Sequence, residues 1–270
     1  QPSAKEVFDT TPYTILVVDD NPDMTDFLKR TFEGYFKRII IAGDGVEALQ
    51  LVRSHVPDII VSDVMMPRMN GYKLCKTIKE DINISHIPVI LLTARDDRQS
   101  QISGYKNGAD GYLSKPFEVE MLMELIRNRL KNREYTKKRY LNAGLIPTPE
   151  ESTISLTDET FLIKLNSIIQ ENIENSNLGI QFICQEVGLG RSSLYNKLKA
   201  LTGMGANEYI SKLRIEKAIT LISGTDMPFS EIAEKTGFTT PSYFSTAFKQ
   251  YTGETPSQYK ERKKKGLADK

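Results

Sequence analysis

Five short apolar runs, Ile15–Val18, Ile39–Ala42, Ile59–Ser62, Val89–Leu92 and Gly111–Leu113, alternate with longer amphipathic stretches between Tyr13 and Lys131. Apolar runs of strand length separated by helical periods are what a parallel sheet covered on both faces requires. The punctuation agrees. Asn21-Pro22 supplies a helix N-cap and a proline at the first helical position, and Gly45, Gly71 and Asp97 mark further helix entries. Five βα units then build an α/β, doubly wound, five-stranded parallel sheet.

The polar residues that end these runs carry the chemistry. Asp19 and Asp20 close the first run, Asp63 follows the third, Thr93 ends the fourth and Lys115 follows the fifth. In a doubly wound fold all of them gather at the carboxyl edge of the sheet, which is its binding crevice. Three carboxylates in one place repel unless a cation sits among them, and oxygen-only ligands suit Mg²⁺. With two acids on the ion, the third can act as nucleophile toward a phosphoryl group, while Lys115 offers a positive charge and Thr93 a hydroxyl.

The segments ILVVDDNPDM, SDVMMPRMNGYKLC, VILLTA and DGYLSKPF, in that order and spacing, make residues 13–131 resemble the receiver domains of bacterial two-component response regulators. The resemblance implies a flavodoxin-like fold with Asp63 as phosphoacceptor for a histidine kinase. It implies Asp19, Asp20, Asp63 and the backbone carbonyl of Met65 as the Mg²⁺ ligands, and Lys115, Thr93 and Tyr112 as the switch. In the family Thr93 swings to the phosphoryl group and Tyr112 fills the vacated space. This remodels the face of the domain's fourth helix, fifth strand and fifth helix, through which a homodimer forms. A cis Lys115-Pro116 bond is also implied. Met65 and Arg95, two residues after Asp63 and Thr93, bring no carboxylate or amide to orient an attacking water, so the aspartyl phosphate is expected to persist for many minutes or longer.

The C-terminal part repeats itself. Ile183–Gly188 matches Ile232–Gly237 at a shift of 49. At a shift of 50, Ser192 pairs with Ser242, Leu194 with Phe244, Leu198 with Phe248, Lys199 with Lys249, Leu201 with Tyr251 and Gly203 with Gly253. Each copy reads as a helix, a glycine turn and a second helix, the helix-turn-helix pattern, with Leu194, Leu198 and Leu201 facing one core and Phe244, Phe248 and Tyr251 the other. The opposite faces carry Arg191, Ser192, Tyr195, Asn196 and Lys199 in the first copy, and Ser242, Tyr243, Ser245, Thr246 and Lys249 in the second. These side chains donate to phosphates and base edges. A connecting helix from Asn207 to Ser223 separates the two, so that they can enter successive major-groove faces. ICQEVGLGRSSLYNKLKALTG and IAEKTGFTTPSYFSTAFKQYTGETPSQYK make residues 160–262 resemble the DNA-binding domain of AraC-type transcription regulators, which implies double-stranded promoter DNA and RNA polymerase as partners.

Charge fits this division. The whole chain balances at +1, but residues 188–270 hold 14 basic against 8 acidic side chains, a local excess suited to a polyanion. Cys75 and Cys184 have no metal spacing and read as buried thiols of a reducing compartment. The longest apolar runs are strand length, so no membrane contact is expected and the location reads as cytoplasmic. The expected domains are a leader (1–12), the receiver (13–131), a helical extension and linker containing REYTKKRY and IPTPEESTIS (132–157), the double helix-turn-helix domain (158–265) and a tail (266–270). A start at Gln1 and this pairing of domains also resemble the cytoplasmic C-terminal part of a hybrid two-component sensor, commonly one controlling carbohydrate-use genes. An enzyme turning over phosphoryl groups is disfavoured, because no acid–base partner or substrate-covering cap accompanies Asp63. A phosphorylation-controlled protein-interaction adaptor is the alternative to DNA binding.

Overall fold

The computed structural model describes residues 7–94, 108–142 and 155–268. Asp97 and Arg95, the receiver's fourth helix expected after Thr93, most of IPTPEESTIS and the first half of the leader lie outside these residues. The described chain forms two compact units, one built from residues up to Tyr140 and one from Thr160 onward.

In the first unit β1 (Thr14–Val18), β2 (Arg38–Ala42), β3 (Ile59–Asp63), β4 (Val89–Thr93) and β5 (Gly111–Ser114) form one sheet in the order β2-β1-β3-β4-β5. Every neighbouring pair is parallel. Alternate residues of the strands feed opposite layers, as the period of two demands. Leu16, Val18, Ile60, Val89 and Leu91 pack with Ala48 and Val52 of α2 (Gly45–His55) and with Leu74, Cys75 and Ile78 of α3 (Gly71–Glu80). Ile15, Val17, Ile59, Val61, Ile90 and Leu92 pack with Leu28 and Phe32 of α1 (Pro22–Phe32) and with Leu122, Ile126 and Leu130 of α4 (Val119–Asn142). Helix entries fall where read, at Pro22 after Asn21 and at Gly45 and Gly71. Asn21 accepts from the Asp23 amide with Pro22 at the first turn, and Asp44 and Asn70 cap α2 and α3. The charged extension REYTKKRY continues α4 as one helix.

The second unit is all helix: α5 (Leu156–Glu171), α6 (Ile180–Val187), α7 (Arg191–Thr202), α8 (Ala206–Gly224), α9 (Phe229–Lys235), α10 (Pro241–Thr252) and α11 (Pro256–Ala268). The repeat is visible in the backbone. Gly188 and Gly237, which pair in the sequence, both take positive φ, 79° and 70°, at the turns after α6 and α9. Glycine alone adopts that region without strain, so the chain reverses there at no steric cost. The connecting helix α8 spans the expected segment.

Two readings are corrected. Tyr251 is not a core residue like its repeat partner Leu201. Its ring is 37% exposed and its hydroxyl donates to Glu216, because a tyrosine cannot bury its hydroxyl without a partner. Cys75 is buried, but Cys184 is only half-buried, since its position on α6 lies beside the apolar stripe of Ile183 and Val187 instead of within it.

The second copy is held by an aromatic ladder. Phe244 is fully buried, its ring centre 5.4 Å from Phe238 and 5.7 Å from Phe248. Phe244→Ala is expected to cost about 3 to 5 kcal/mol. Amide hydrogen exchange should show protection lost in α9 and α10 while β1, β3 and β4 keep theirs.

Candidate functional site

The register of the sheet assembles the first site. Val18 lies opposite Ser62 on the paired strands β1 and β3, so the next residues, Asp19 and Asp63, emerge side by side. Thr93 lies opposite Ser114 on β4 and β5, which brings Lys115 to the same edge. Asp19 is 3% exposed and Asp63 7%. Lys115 Nζ lies 2.8 Å from Asp19 Oδ2 and 2.6 Å from Asp63 Oδ1, so one ammonium neutralises both carboxylates. The Lys115-Pro116 bond is cis, as the resemblance implies.

Burial pushes the Asp63 carboxyl above the usual carboxylate range, against the hydrogen bond and charge of Lys115, and the nearby Asp19 charge adds to the rise. Burial alone would lower the Lys115 ammonium, yet its hydrogen bonds to Asp19 and Asp63 outweigh it and raise the lysine. The Met65 amide donates to Asp63 Oδ2 at 2.6 Å. Thr93 is buried beneath the edge and its carbonyl accepts from the Lys115 amide at 2.6 Å. Tyr112 is half-buried, with its hydroxyl 3.4 Å from that of Tyr72 on α3. Gly71, which opens α3, lies so close to β3 that a Cβ would stand 2.2 Å from the Asp63 carbonyl oxygen. Only glycine lets the helix start there.

Of the three expected carboxylates, Asp19 and Asp63 are nearly buried and Asp20 lies at the rim. Asp20 is exposed, and among the described residues no three His, Cys, Asp or Glu side chains are gathered as a metal cluster. Asp19 turns in to meet Lys115, and its Oδ1 accepts from the Asn21 amide, whereas its neighbour Asp20 points to solvent. The donors at the edge are nonetheless all oxygen, and Asp19 and Asp63 already hold a cationic group between them, a donor set that fits Mg²⁺.

On the second unit the recognition-type helices α7 and α10 present the expected faces. Arg191, Ser192, Tyr195 and Lys199 are exposed and Asn196 is half-buried; Ser242, Tyr243, Thr246 and Lys249 are exposed and Ser245 is half-buried. Arg191 is drawn toward α6 by a 3.2 Å hydrogen bond to Gln181, and the Tyr243 ring sets its edge against Phe238. A groove is lined by Lys199 of α7, Asn207 and Ser211 of α8, and Tyr243, Thr246 and Gln250 of α10. α10 is capped by the Thr240 hydroxyl with Pro241 at its first turn, whereas α7 begins at Gly190 without a side-chain cap.

Sequence reasoning missed several residues near these sites. Arg68 pairs with buried Asp44, and Tyr72 meets Tyr112; neither contact has a local signal. Lys197 is fully buried on the inner side of α7, 5.1 Å above the Phe161 ring. Its place in the apolar i, i+3, i+4 stripe with Leu194, Leu198 and Leu201 was the available clue.

Residues 15–127 match the family model of the response regulator receiver domain, and residues 183–262 match that of a helix-turn-helix domain. Among curated proteins the chain is similar to histidine kinase P4 of Formosa agariphila, 41% identical over 249 residues that make up 92% of this chain and 18% of that protein. It is similar to response regulator MprA of a Mycobacterium species, 36% identical over 165 residues, 56% of this chain and 70% of the relative. It is also similar to the DNA-binding response regulator MtrA of Mycolicibacterium smegmatis, 36% identical over 136 residues, 50% of this chain and 58% of that one. The chain thus spans a small part of the kinase and somewhat over half of MtrA.

The raised Asp63 carboxyl has a thermodynamic consequence. Its folded pKa lies above the unfolded value of about 3.9, so its favourable contribution is complete below that pH and is lost as pH rises through the folded value. At neutral pH, well above the unfolded value, the buried carboxyl therefore costs stability. In metal-free buffer with a chelator, Asp63→Asn is expected to raise the thermal midpoint at pH 7, with the gap closing as the pH falls; a lowered midpoint at pH 7 would show that the Lys115 pairing outweighs burial.

Proposed function

The chain belongs to the response regulators, as a receiver domain joined to an AraC-type helix-turn-helix domain, and on that premise we propose that phosphorylation of Asp63 by a histidine kinase promotes receiver dimerisation and sequence-specific binding to promoter DNA. The observation that carries the reading is the Lys115 ammonium, held within 2.8 Å of both Asp19 and Asp63 at the carboxyl edge of the sheet. Receiver domains bind Mg²⁺; here Asp19, Asp20, Asp63 and the Met65 carbonyl would hold it, and the ion supplies positive charge to the phosphoryl group.

The chain's own residues do the rest. An Asp63 carboxylate oxygen attacks phosphorus, forming a new P–O bond as the bond to the donor histidine nitrogen breaks. Lys115 remains at the acyl phosphate as its counter-charge. The Thr93 hydroxyl turns toward the phosphoryl oxygens, and Tyr112 leaves Tyr72 for the space vacated. Met65, 66% exposed, offers a thioether where an amide or carboxylate would orient water, which supports slow hydrolysis. The architecture is that of a regulator, with no substrate turned over.

The double helix-turn-helix supports promoter DNA as the ligand. Its two copies each carry an exposed polar face, on α7 and on α10, so a single chain engages two sites at high effective concentration. Contact with RNA polymerase at the promoter completes this reading. The 41% identity with a histidine kinase of which this chain spans 18% supports a hybrid sensor as the parent arrangement, with these domains on its cytoplasmic side; control of carbohydrate-use genes rests on the resemblance. Among the described residues no helix is long and apolar enough to cross a membrane.

Selection from a random duplex library with and without beryllofluoride, with light scattering alongside, tests the whole. A repeated motif that strengthens as the protein dimerises is expected; enrichment indifferent to the mimic would detach control from Asp63, and no enrichment would favour the protein-interaction adaptor. Asp63→Asn should abolish aspartyl phosphate formation. Tyr195→Ala and Asn196→Ala should each cost about 1 to 3 kcal/mol on the selected site and little on random duplex, read by titration at fixed salt.

A further inference from the structure

The loop from Asp63 to Gly71 contains both Asp63 and Met65, and it is tied down along its length. At its root the Met65 amide donates to Asp63 Oδ2 at 2.6 Å, and the Gly71 amide donates to the Val64 carbonyl at 3.0 Å. Farther out, the Gly45 amide at the start of α2 donates to the Met69 carbonyl at 3.1 Å, an approach so close that a Cβ on Gly45 would stand 2.5 Å from that oxygen.

Between these ties sits Arg68. Its φ of 59° is in the left-handed region, which disfavours any residue bearing a Cβ. Its guanidinium is ion-paired with the Asp44 carboxylate. Asp44 is 4% exposed, and its other oxygen already accepts from the Val46 and Glu47 amides that it caps. The carboxylate is thus fixed before the arginine reaches it. Arg68 itself is 61% exposed, so water would satisfy its charge equally well. Solvation of Arg68 therefore does not require the pair, whereas the nearly buried Asp44 carboxylate gains a partner from it, and an arginine is an unfavourable choice for this backbone; the contact it makes is what distinguishes it.

We propose that Arg68 is a positioning residue for phosphoryl uptake, its ion pair with Asp44 clamping the phosphoacceptor loop to the amino end of α2 and so holding the Met65 backbone against Asp63. This rests on reading Asp63 as the phosphoacceptor. The contribution is to geometry, in that a loop already in its reactive shape does not have to be ordered as the phosphoryl donor arrives.

The test uses the full chain and acetyl phosphate. In that reaction an Asp63 oxygen forms the new P–O bond while the donor's P–O bond to its acetyl group breaks and acetate leaves. Arg68→Gly deletes the ion pair but suits the left-handed backbone, and Asp44→Asn keeps an N-cap acceptor while removing the charge. Each is expected to slow the initial rate of aspartyl phosphate formation about tenfold at saturating donor, with the double variant no slower than the slower single, because both remove one interaction. Arg68→Lys should recover part of the rate. Amide exchange at Met65 should quicken in both single variants.

Rates within twofold of the parent in both variants, or effects that multiply in the double, would overturn the clamp. Failure of the phosphoacceptor reading looks different: the parent chain would not be labelled, or Asp63→Asn would be. In that event Met65 exchange still decides, and exchange unchanged in Arg68→Gly overturns the clamp whatever the labelling shows.

Discussion

Two nearly buried carboxylates at the ends of adjacent parallel strands would repel each other strongly in a medium of low dielectric, and β1 and β3 could not end as they do without a counter-charge. Lys115 supplies it, from the end of a strand two places away in the sheet from β3. That reach makes the sheet order consequential. Between β3 and β5 runs β4, whose last residue, Thr93, is buried and accepts from the Lys115 amide. Helices pack on both faces of the sheet, so its polar groups gather at the strand ends, these at the carboxyl edge. The pairing keeps that edge charged and folded at once, with a cation already in place between the two acids.

The first unit was legible because parallel strands buried on both faces write themselves as continuous apolar runs, and because caps act over three residues. Asn21-Pro22, Gly45 and Gly71 sit where the helices begin. What could not be read depends on contacts between distant positions or on which way a side chain turns. Asp19 and Asp20 are adjacent and chemically identical, yet only Asp19 turns in to Lys115. Arg68 and Asp44 lie 24 residues apart, and Tyr72 and Tyr112 lie 40 apart. No pattern in the chain links either pair. Tyr251 shows the limit of repeat logic, since its counterpart Leu201 is buried but a phenol needs a partner, which it finds in Glu216 on α8.

The two helix-turn-helix copies solve one packing problem differently. The first fills its core with Leu194, Leu198 and Leu201 and starts its outer helix at an uncapped glycine. The second packs Phe238 tilted on Phe244, and Phe244, Phe248 and Tyr259 edge to face, and caps its outer helix with Thr240 and Pro241. Aromatic pairs add directional preferences that aliphatic contacts lack, so the second copy is the more narrowly determined. α8, with Lys212 and Glu216 paired along its side at 3.8 Å, carries side chains that serve both.

That difference bears on what the chain can read. Identical copies would meet a site of two equal halves, which looks the same from either direction. Here one helix offers Tyr195 and Asn196 where the other offers Ser245 and Thr246, so the halves of a site matched to one molecule are unlike. Such a site has a head and a tail. A regulator of this build takes an orientation on the duplex from a single binding event, and inverting its site turns the whole molecule to face the other way along the chromosome.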